Sequence, residues 1–582
     1  VRTWGTHADG PLLARARVLA PLYAVLAVVL AWPLAAHPTD SLTLGTEGPP
    51  TVGLFNLWTL RWNQDRAGHL FSGYWDAPLF HPTTGTFAFS EPQPLTGLVF
   101  TPISWLSGNP VLAANLVALA ILAANGWSAA RLARRLGAAP GPAVLAGVLA
   151  QAMPFVAGQL GVLQLTVVFP LFLLVDAIVR WAGGGGRRAA VEIGLWLAVT
   201  FLTCGYYGLF AVVGIGVPAL LLARRSWLDR DRLAGGALAV AVFAVLALPI
   251  LLAQARITAD HPRPDDLVQG LSATGADFWQ LDGRAHGAGV LPWVRELSEG
   301  QPLYPGTALL VLGVGGFVVA YRRLPPDDPP EPAPEDGAPD PSPGAGTDRR
   351  RVLLFLAVGA GLARVLAMGL NVDIAGLGGP YDLVRAVVPG YESLRSPFRF
   401  AVLTEVFLVA LAALGLDALW RWRGRWGPGL AVAIVAAGAV ETGLVPVRLF
   451  EVDRDVPEWA TWIGDHPPED GEPAAVAFLP FPPTNAVASY QATTEGMLSV
   501  LDAGSTTVNG YSGMFPSSYD QLEIAARLYP SDEADDLFRE HGVRYVVAED
   551  GWLAADGFRE RWLAERYERV VEGDGATLYV TR

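Results

Sequence analysis

Between residues 37 and 93 the chain gathers five carboxylates, Asp40, Glu47, Asp65, Asp76 and Glu91, with Arg61, Arg66, His69 and His81 among them. Tryptophans, tyrosines and phenylalanines are interleaved: Trp58, Trp62, Tyr74, Trp75, Phe80, Phe87 and Phe89. Carboxylates beside aromatic rings suit a carbohydrate. Ring faces pack on sugar C–H surfaces, and a carboxylate can take the proton of an acceptor hydroxyl. The plainer reading is a loop of solvated acids, turn residues and interfacial tryptophans. A second chemistry sits in "SLRSPFRF", where Arg395 and Arg399 offer guanidinium forks that match phosphate oxygens. Its plainer reading is snorkelling at a membrane interface. Arg364, Glu405 and Glu441 fall inside apolar runs, where ionisable groups are expensive and should face the bundle and pair; an Arg364–Glu405 structural pair and a transport role are equal readings. Asp176 reads as an interfacial acid. The sequence carries no zinc-type His/Cys spacing and no phosphate-loop motif. A divalent metal on Asp76, Glu91 or Glu47 is allowed, and no other cofactor is indicated.

The elements that must position these groups are apolar. Of 582 residues, 52% are hydrophobic and only 16% charged, and mean hydropathy is +0.34. Apolar runs near 18–36, 110–132, 142–157, 163–181, 189–204, 206–223, 234–253, 304–321, 352–370, 398–419 and 428–446 are each a candidate span. All basic residues are arginine, and their clusters recur in every second loop. The excess of arginine on the cytoplasmic side then puts the N-terminus inside. It puts loop 37–109 and everything after the last run outside. Residues 94–108 are too short and proline-rich for a further span and read as re-entrant or surface-lying. The Pro- and acid-rich stretch 324–347 reads as a disordered cytoplasmic linker. The expected fold is a polytopic α-helical membrane protein of about eleven spans, residues 1–446, followed by a small extracytoplasmic α/β domain, 447–582. In that domain "AAVAFLPF" and "VRYVVAE" read as buried strands, the last sixteen residues as a hairpin, and 531–542 as a helix capped by Ser531. The formal charge of −14 lies mostly in this tail, which excludes nucleic acid as a partner. The lone Cys204 cannot form an intrachain disulfide.

The segments "FNLWTLRWN", "YWDAPLFHPTTGTFAFSE", "NPVLAANL", "CGYYGLF", "LRSPFRF" and "TVNGYSGMFPSSYDQL" resemble a group of uncharacterised bacterial polytopic proteins. That group is similar to the GT-C class of membrane glycosyltransferases and to YfhO-like proteins. The resemblance implies an inner-membrane enzyme that transfers a sugar, with inversion, from a polyprenyl-phosphate carrier on the outer face. Its partners would be a lipid-linked donor and membrane lipid. It also implies a catalytic acid in the first external loop. Glu47 matches that position, with Asp76 and Glu91 beside it, and Arg61, Arg66, His81, Arg395 and Arg399 binding substrate. The chain departs from the pattern at "TVGLFN", where Val52 stands in place of an acid found in many relatives. Either Glu47 substitutes, or the site is altered, or it is inactive. The alternative functions are a non-catalytic scaffold and a transporter in surface-polymer assembly.

Overall fold

The computed structural model describes residues 10–45, 48–260, 263–324, 349–422, 424–468 and 474–581. Glu47 and, apart from Leu324, the expected linker 324–347 lie outside them. The chain divides into two compact units. One comprises residues 1–36 and 116–447, the other 37–115 and 448–582. The first external loop therefore folds as one unit with the C-terminal segment, not as an appendage of the helices.

In the first unit each apolar run contains helix. Six helical stretches are long and apolar enough to cross a membrane: Pro110–Arg135, Pro140–Gly158, Leu163–Ala182, Gly205–Leu222, Arg230–Ile257 and Pro397–Arg421. Leu19–Leu30, Thr307–Arg322 and Trp426–Glu441 are apolar but shorter. The centre is the helix Ala401–Arg421, buried without a break from Ala401 to Leu416. A helix apolar all round must be enclosed by others. Here Thr307–Arg322, Arg349–Ala367, Pro140–Gln151 and Trp426–Glu441 surround it. Two glycines permit the tightest crossing. A Cβ on Gly316 would lie 2.3 Å from the Leu411 carbonyl, and one on Gly415 2.3 Å from that of Leu312. Glu441 closes the start of the Thr307–Arg322 helix, its carboxylate accepting from the Thr307 N–H (3.0 Å) and hydroxyl (2.6 Å).

The second unit is built on a five-stranded sheet in the order Thr506–Thr507, Ala475–Leu479, Val543–Glu549, Ala576–Thr581, Tyr567–Gly573. The first three strands are parallel, and the last two are joined as an antiparallel hairpin. Ser531 caps the helix Asp532–Glu540, accepting from the Ala534 N–H. A separate antiparallel pair, Ser41–Thr43 with Leu449–Glu451, ties the two chain segments together.

Residues 78–81 run along the free side of Thr506–Thr507. The His81 N–H donates to the Thr507 carbonyl (3.0 Å), Thr507 N–H to that of Pro78 (3.3 Å) and Phe80 N–H to that of Asn509 (3.2 Å). A sheet edge is thereby covered. Trp58, Trp62, Phe80 and Phe87 enter one core with Ala477, Phe481, Tyr519 and Phe538, and Tyr74 and Trp75 pack against it. Trp58 and Trp62 are therefore not interfacial tryptophans; these aromatics fill the core of their own unit. Residues Pro94–Ser107 form a helix of 14 residues packed on Thr51–Gly68. At 1.5 Å per residue it is about 21 Å long, short of the ~30 Å hydrocarbon core. Leu98, Val99, Trp105 and Leu106 are exposed along one face.

Candidate functional site

The candidates fall in both units. In the second unit the charged side chains of the loop are largely engaged with their surroundings. Arg61 reaches Asp502 with both terminal nitrogens (3.1 and 2.5 Å), fastening the helix Thr51–Gly68 to Gln491–Ala503. Arg66 pairs with Asp65, donates to the Ser72 carbonyl (3.0 Å) and lies over the Trp62 ring, 4.4 Å from its centre. Asp76 is exposed, and its Oδ1 accepts from the Gly85 N–H (2.8 Å). That bond closes the turn in which Gly85 takes a left-handed φ of 71°. Glu91 is half-buried and engaged within the protein. Burial and the neighbouring His541 hold the His81 imidazole below its ordinary pKa. Asp40, an acid given no role from sequence, is exposed and accepts from the Ser41 hydroxyl (2.8 Å). Among the described residues no three His, Cys, Asp or Glu side chains are grouped to hold a metal ion.

The tail motif "TVNGYSG" explains why the loop sits where it does. The Asn509 side chain accepts from the Phe478 N–H (2.7 Å) and donates to the Phe478 carbonyl (3.1 Å), continuing the strand pairing with an amide group. A Cβ on Gly510 would stand 2.5 Å from the Phe80 ring, and one on Gly513 3.0 Å from the Phe89 carbonyl. The two polar stretches are thus complementary halves of one packing surface.

In the first unit the motifs "CGYYGLF" and "LRSPFRF" come together. Phe210 stacks on Phe400 at 3.7 Å between ring centres, and Tyr391 donates to the Leu209 carbonyl (2.8 Å). This packing seats the Arg399 guanidinium over the Tyr206 ring at 4.7 Å. Arg399 is only 9% exposed, and Arg395 is half-buried. Arg263, an arginine in a loop expected outside, joins them. Its Nε donates to the Ser393 carbonyl (3.4 Å), and its backbone carbonyl receives Arg385 (2.9 Å), which is itself paired with Asp265 (2.6 Å). Burial lowers the Arg263 pKa; Tyr206 opposes this, and the positive charge of Arg395 adds to it. A guanidinium does not deprotonate in a protein, so the shift reads as crowded positive charge. Tyr381 completes the cluster, fully buried, its hydroxyl making no hydrogen bond within the described residues. Sequence reading missed Arg263, Tyr206 and Tyr381. The available signal was an arginine on the side expected to be poor in them.

Asp176 is 1% exposed, held by Arg135 (2.9 Å), Arg180 (3.3 Å) and Arg131 (3.5 Å). One expectation for the spans is corrected. Arg364 and Glu405 do not pair. Arg364 lies over the Phe278 ring at 4.0 Å, and the buried Glu405 carboxylate faces the Phe155 N–H at 3.4 Å. The arginine spends its charge on a ring face, and the acid caps a broken span at Pro154.

Comparison with solved structures shows the fold. The chain is similar over 100% of its length to the arabinofuranosyltransferase AftD from mycobacteria, with a TM-score of 0.58 and 15% identity, and spans 40% of that protein. It is similar over 99% of its length to the oligosaccharyltransferase AglB from Archaeoglobus fulgidus, solved with an inhibitory peptide and a dolichol-phosphate. The TM-score there is 0.52, identity is 13%, and 75% of AglB is covered. Both are GT-C glycosyltransferases, and the chain is an integral membrane protein of GT-C-like fold. No curated protein matches its sequence. A family model matches residues 71–440, and the chain belongs to that family, described as domain of unknown function DUF6311.

Proposed function

We propose that the protein is a GT-C-type glycosyltransferase that moves a sugar, with inversion, from a polyprenyl-phosphate-linked donor on the extracytoplasmic face of the bacterial cytoplasmic membrane. The observation that carries this reading is the joining of "CGYYGLF" to "LRSPFRF", which concentrates Arg263, Arg395 and Arg399 around Tyr206 in a chain of GT-C-like fold. The anionic phosphate of a lipid carrier suits crowded, desolvated guanidinium groups. In this proposal Arg395 and Arg399 hold that phosphate, and Glu47 is the base that takes the acceptor proton. The bonds of Asp76, Arg61 and Arg66 fit them to positioning their own loop, and Glu91 and His81 are proposed to serve the same substrate. A divalent metal, if used, would call on Glu47 with Asp76 or Glu91. The exposed apolar face of Pro94–Ser107 rests on the bilayer surface. The arginine clusters place the N-terminus in the cytoplasm and residues 448–582 outside.

The test is sugar transfer from a lipid-linked donor by the purified full-length protein. Glu47→Gln is expected to lower turnover by about 10²–10⁴-fold at unchanged folding. Turnover by Glu47→Gln equal to wild type removes Glu47 as base, and no transfer by the wild type from any polyprenyl-phosphate sugar returns the reading to a scaffold. That scaffold reading has one observation of its own: Asp76, Arg61 and Arg66 are already engaged in internal bonds.

A further inference from the structure

At the other end of the helical unit, away from Arg399, lies a groove of about 770 Å³. That volume is in the range of small-ligand sites. The position follows from the central helix. Arg399 is in the turn that precedes it, whereas Asp417 near its far end accepts from the Ala139 N–H (2.8 Å), directly after the Arg131–Arg135 cluster. The groove is lined by Trp181, Trp227, Arg224, Arg232, Arg351 and Leu233, with Leu228 and small residues at its rim.

Two of these arginines are tied to backbone carbonyls. Arg232 donates to the carbonyls of Trp181 (2.6 Å) and Gly185 (3.0 Å), closing the end of the Phe169–Ala182 helix, and Arg351 donates to the Ala223 carbonyl (2.7 Å). A guanidinium has five N–H donors in a planar fork, and such bonds fix its direction. Trp181 and Trp227 meet at 4.7 Å between ring centres and form an aromatic wall of the kind found at headgroup level. One side of the groove is the helix Arg230–Asp260, whose apolar stretch is scarcely buried within the protein. Leu233, Val240 and Val245 are exposed along it. A cationic mouth therefore opens onto a lipid-facing apolar track.

We propose that this groove binds one anionic phospholipid of the surrounding bilayer, its phosphate held by Arg224, Arg232 and Arg351 and its acyl chains lying along Arg230–Asp260. Charge complementarity and the continuity of the groove with a bare span select a lipid over a soluble phosphate. The site is distinct from the proposed donor site and does not depend on it.

Native mass spectrometry of the full chain, released from phosphatidylcholine micelles containing phosphatidylglycerol, tests this directly. One phosphatidylglycerol per chain should be retained in preference to phosphatidylcholine. Arg224→Gln/Arg351→Gln should weaken retention about 30-fold, two surface arginines' worth. Arg322→Gln/Arg425→Gln, two exposed arginines outside the groove, should leave it within about twofold. Should the first double variant fail to fold, Leu233→Glu places a repulsive charge in the groove lining without removing a hydrogen bond and must weaken retention as well. Equal retention of both lipids, an equal loss in the two double variants, or unchanged retention in Leu233→Glu overturns the proposal. Competition by inorganic phosphate at millimolar concentration also overturns it in favour of a soluble anion.

Discussion

Two arginine clusters in the same helical unit are used in opposite ways. Around Asp176, Arg131, Arg135 and Arg180 converge on one buried carboxylate. Arg180 also reaches Glu192, which Arg188 joins at 3.2 Å. Around Tyr206, Arg399 lies on a ring face, Arg263 on a backbone carbonyl, and Arg395 adds its charge to theirs. Composition does not distinguish the two. What distinguishes them is the group at the centre. A carboxylate draws the first cluster together, whereas a tyrosine ring seats Arg399 in the second. Buried charge held by charge is architecture, and buried charge held by aromatics is where a binding function is worth seeking.

The contrast is sharpest where it can be broken. Removing the central acid leaves desolvated arginines facing one another, so Asp176→Ala should cost about 3–5 kcal/mol of stability. A thermal melt of the purified chain, with the yield of folded protein, checks this. The second unit should follow the architectural pattern too. Gly510→Ala places a methyl group against the Phe80 ring and should cost about 1–3 kcal/mol through overpacking. Denaturant unfolding of the full chain would show it, and a neutral result would mean that residues 78–81 are not seated on the sheet edge. Arg61→Ala removes a partly exposed pair with Asp502 and should change stability by less than about 1 kcal/mol.

The smallest effect is a pH dependence. The His81 pKa is depressed in the folded state, so at pH above its ordinary value of 6.5 both states are neutral and its contribution to stability is complete. As pH falls below 6.5 the unfolded state takes up the proton first, and stability declines until the folded pKa is passed. His81→Gln should flatten that decline in melts taken between pH 7 and 5. An unchanged slope would assign the acid sensitivity to other groups.

How much of this was legible in the sequence depended on the range of the interaction. The apolar runs are local in sequence, and each holds a helix. Ser531 as an N-cap and the hairpin at Asp574–Gly575 rest on neighbours in sequence and were readable. The destination of Trp58, Phe80 and Phe87 was not. An aromatic stripe looks the same whether it will meet lipid or a protein core, and the deciding partners, Gly510 and Tyr519, lie more than four hundred residues away. The same distance hid the role of Asp502 for Arg61. Arg395 and Arg399 were singled out by residue type and position, but the tyrosine that seats Arg399 comes from a different span. Ring stacking between distant motifs leaves no periodicity to read.

The account rests most heavily on the arginines at Tyr206, and one measurement addresses them without assuming a donor sugar or an acceptor. It is the affinity of undecaprenyl phosphate for the full chain in phosphatidylcholine nanodiscs, compared among wild type, Arg399→Ala and Arg425→Ala. Loss of a charge-assisted contact to phosphate is worth roughly 1.5–3 kcal/mol, so Arg399→Ala should bind about 10- to 100-fold more weakly, with Arg425→Ala unchanged. Equal affinity for wild type and Arg399→Ala, both folded, would contradict the account.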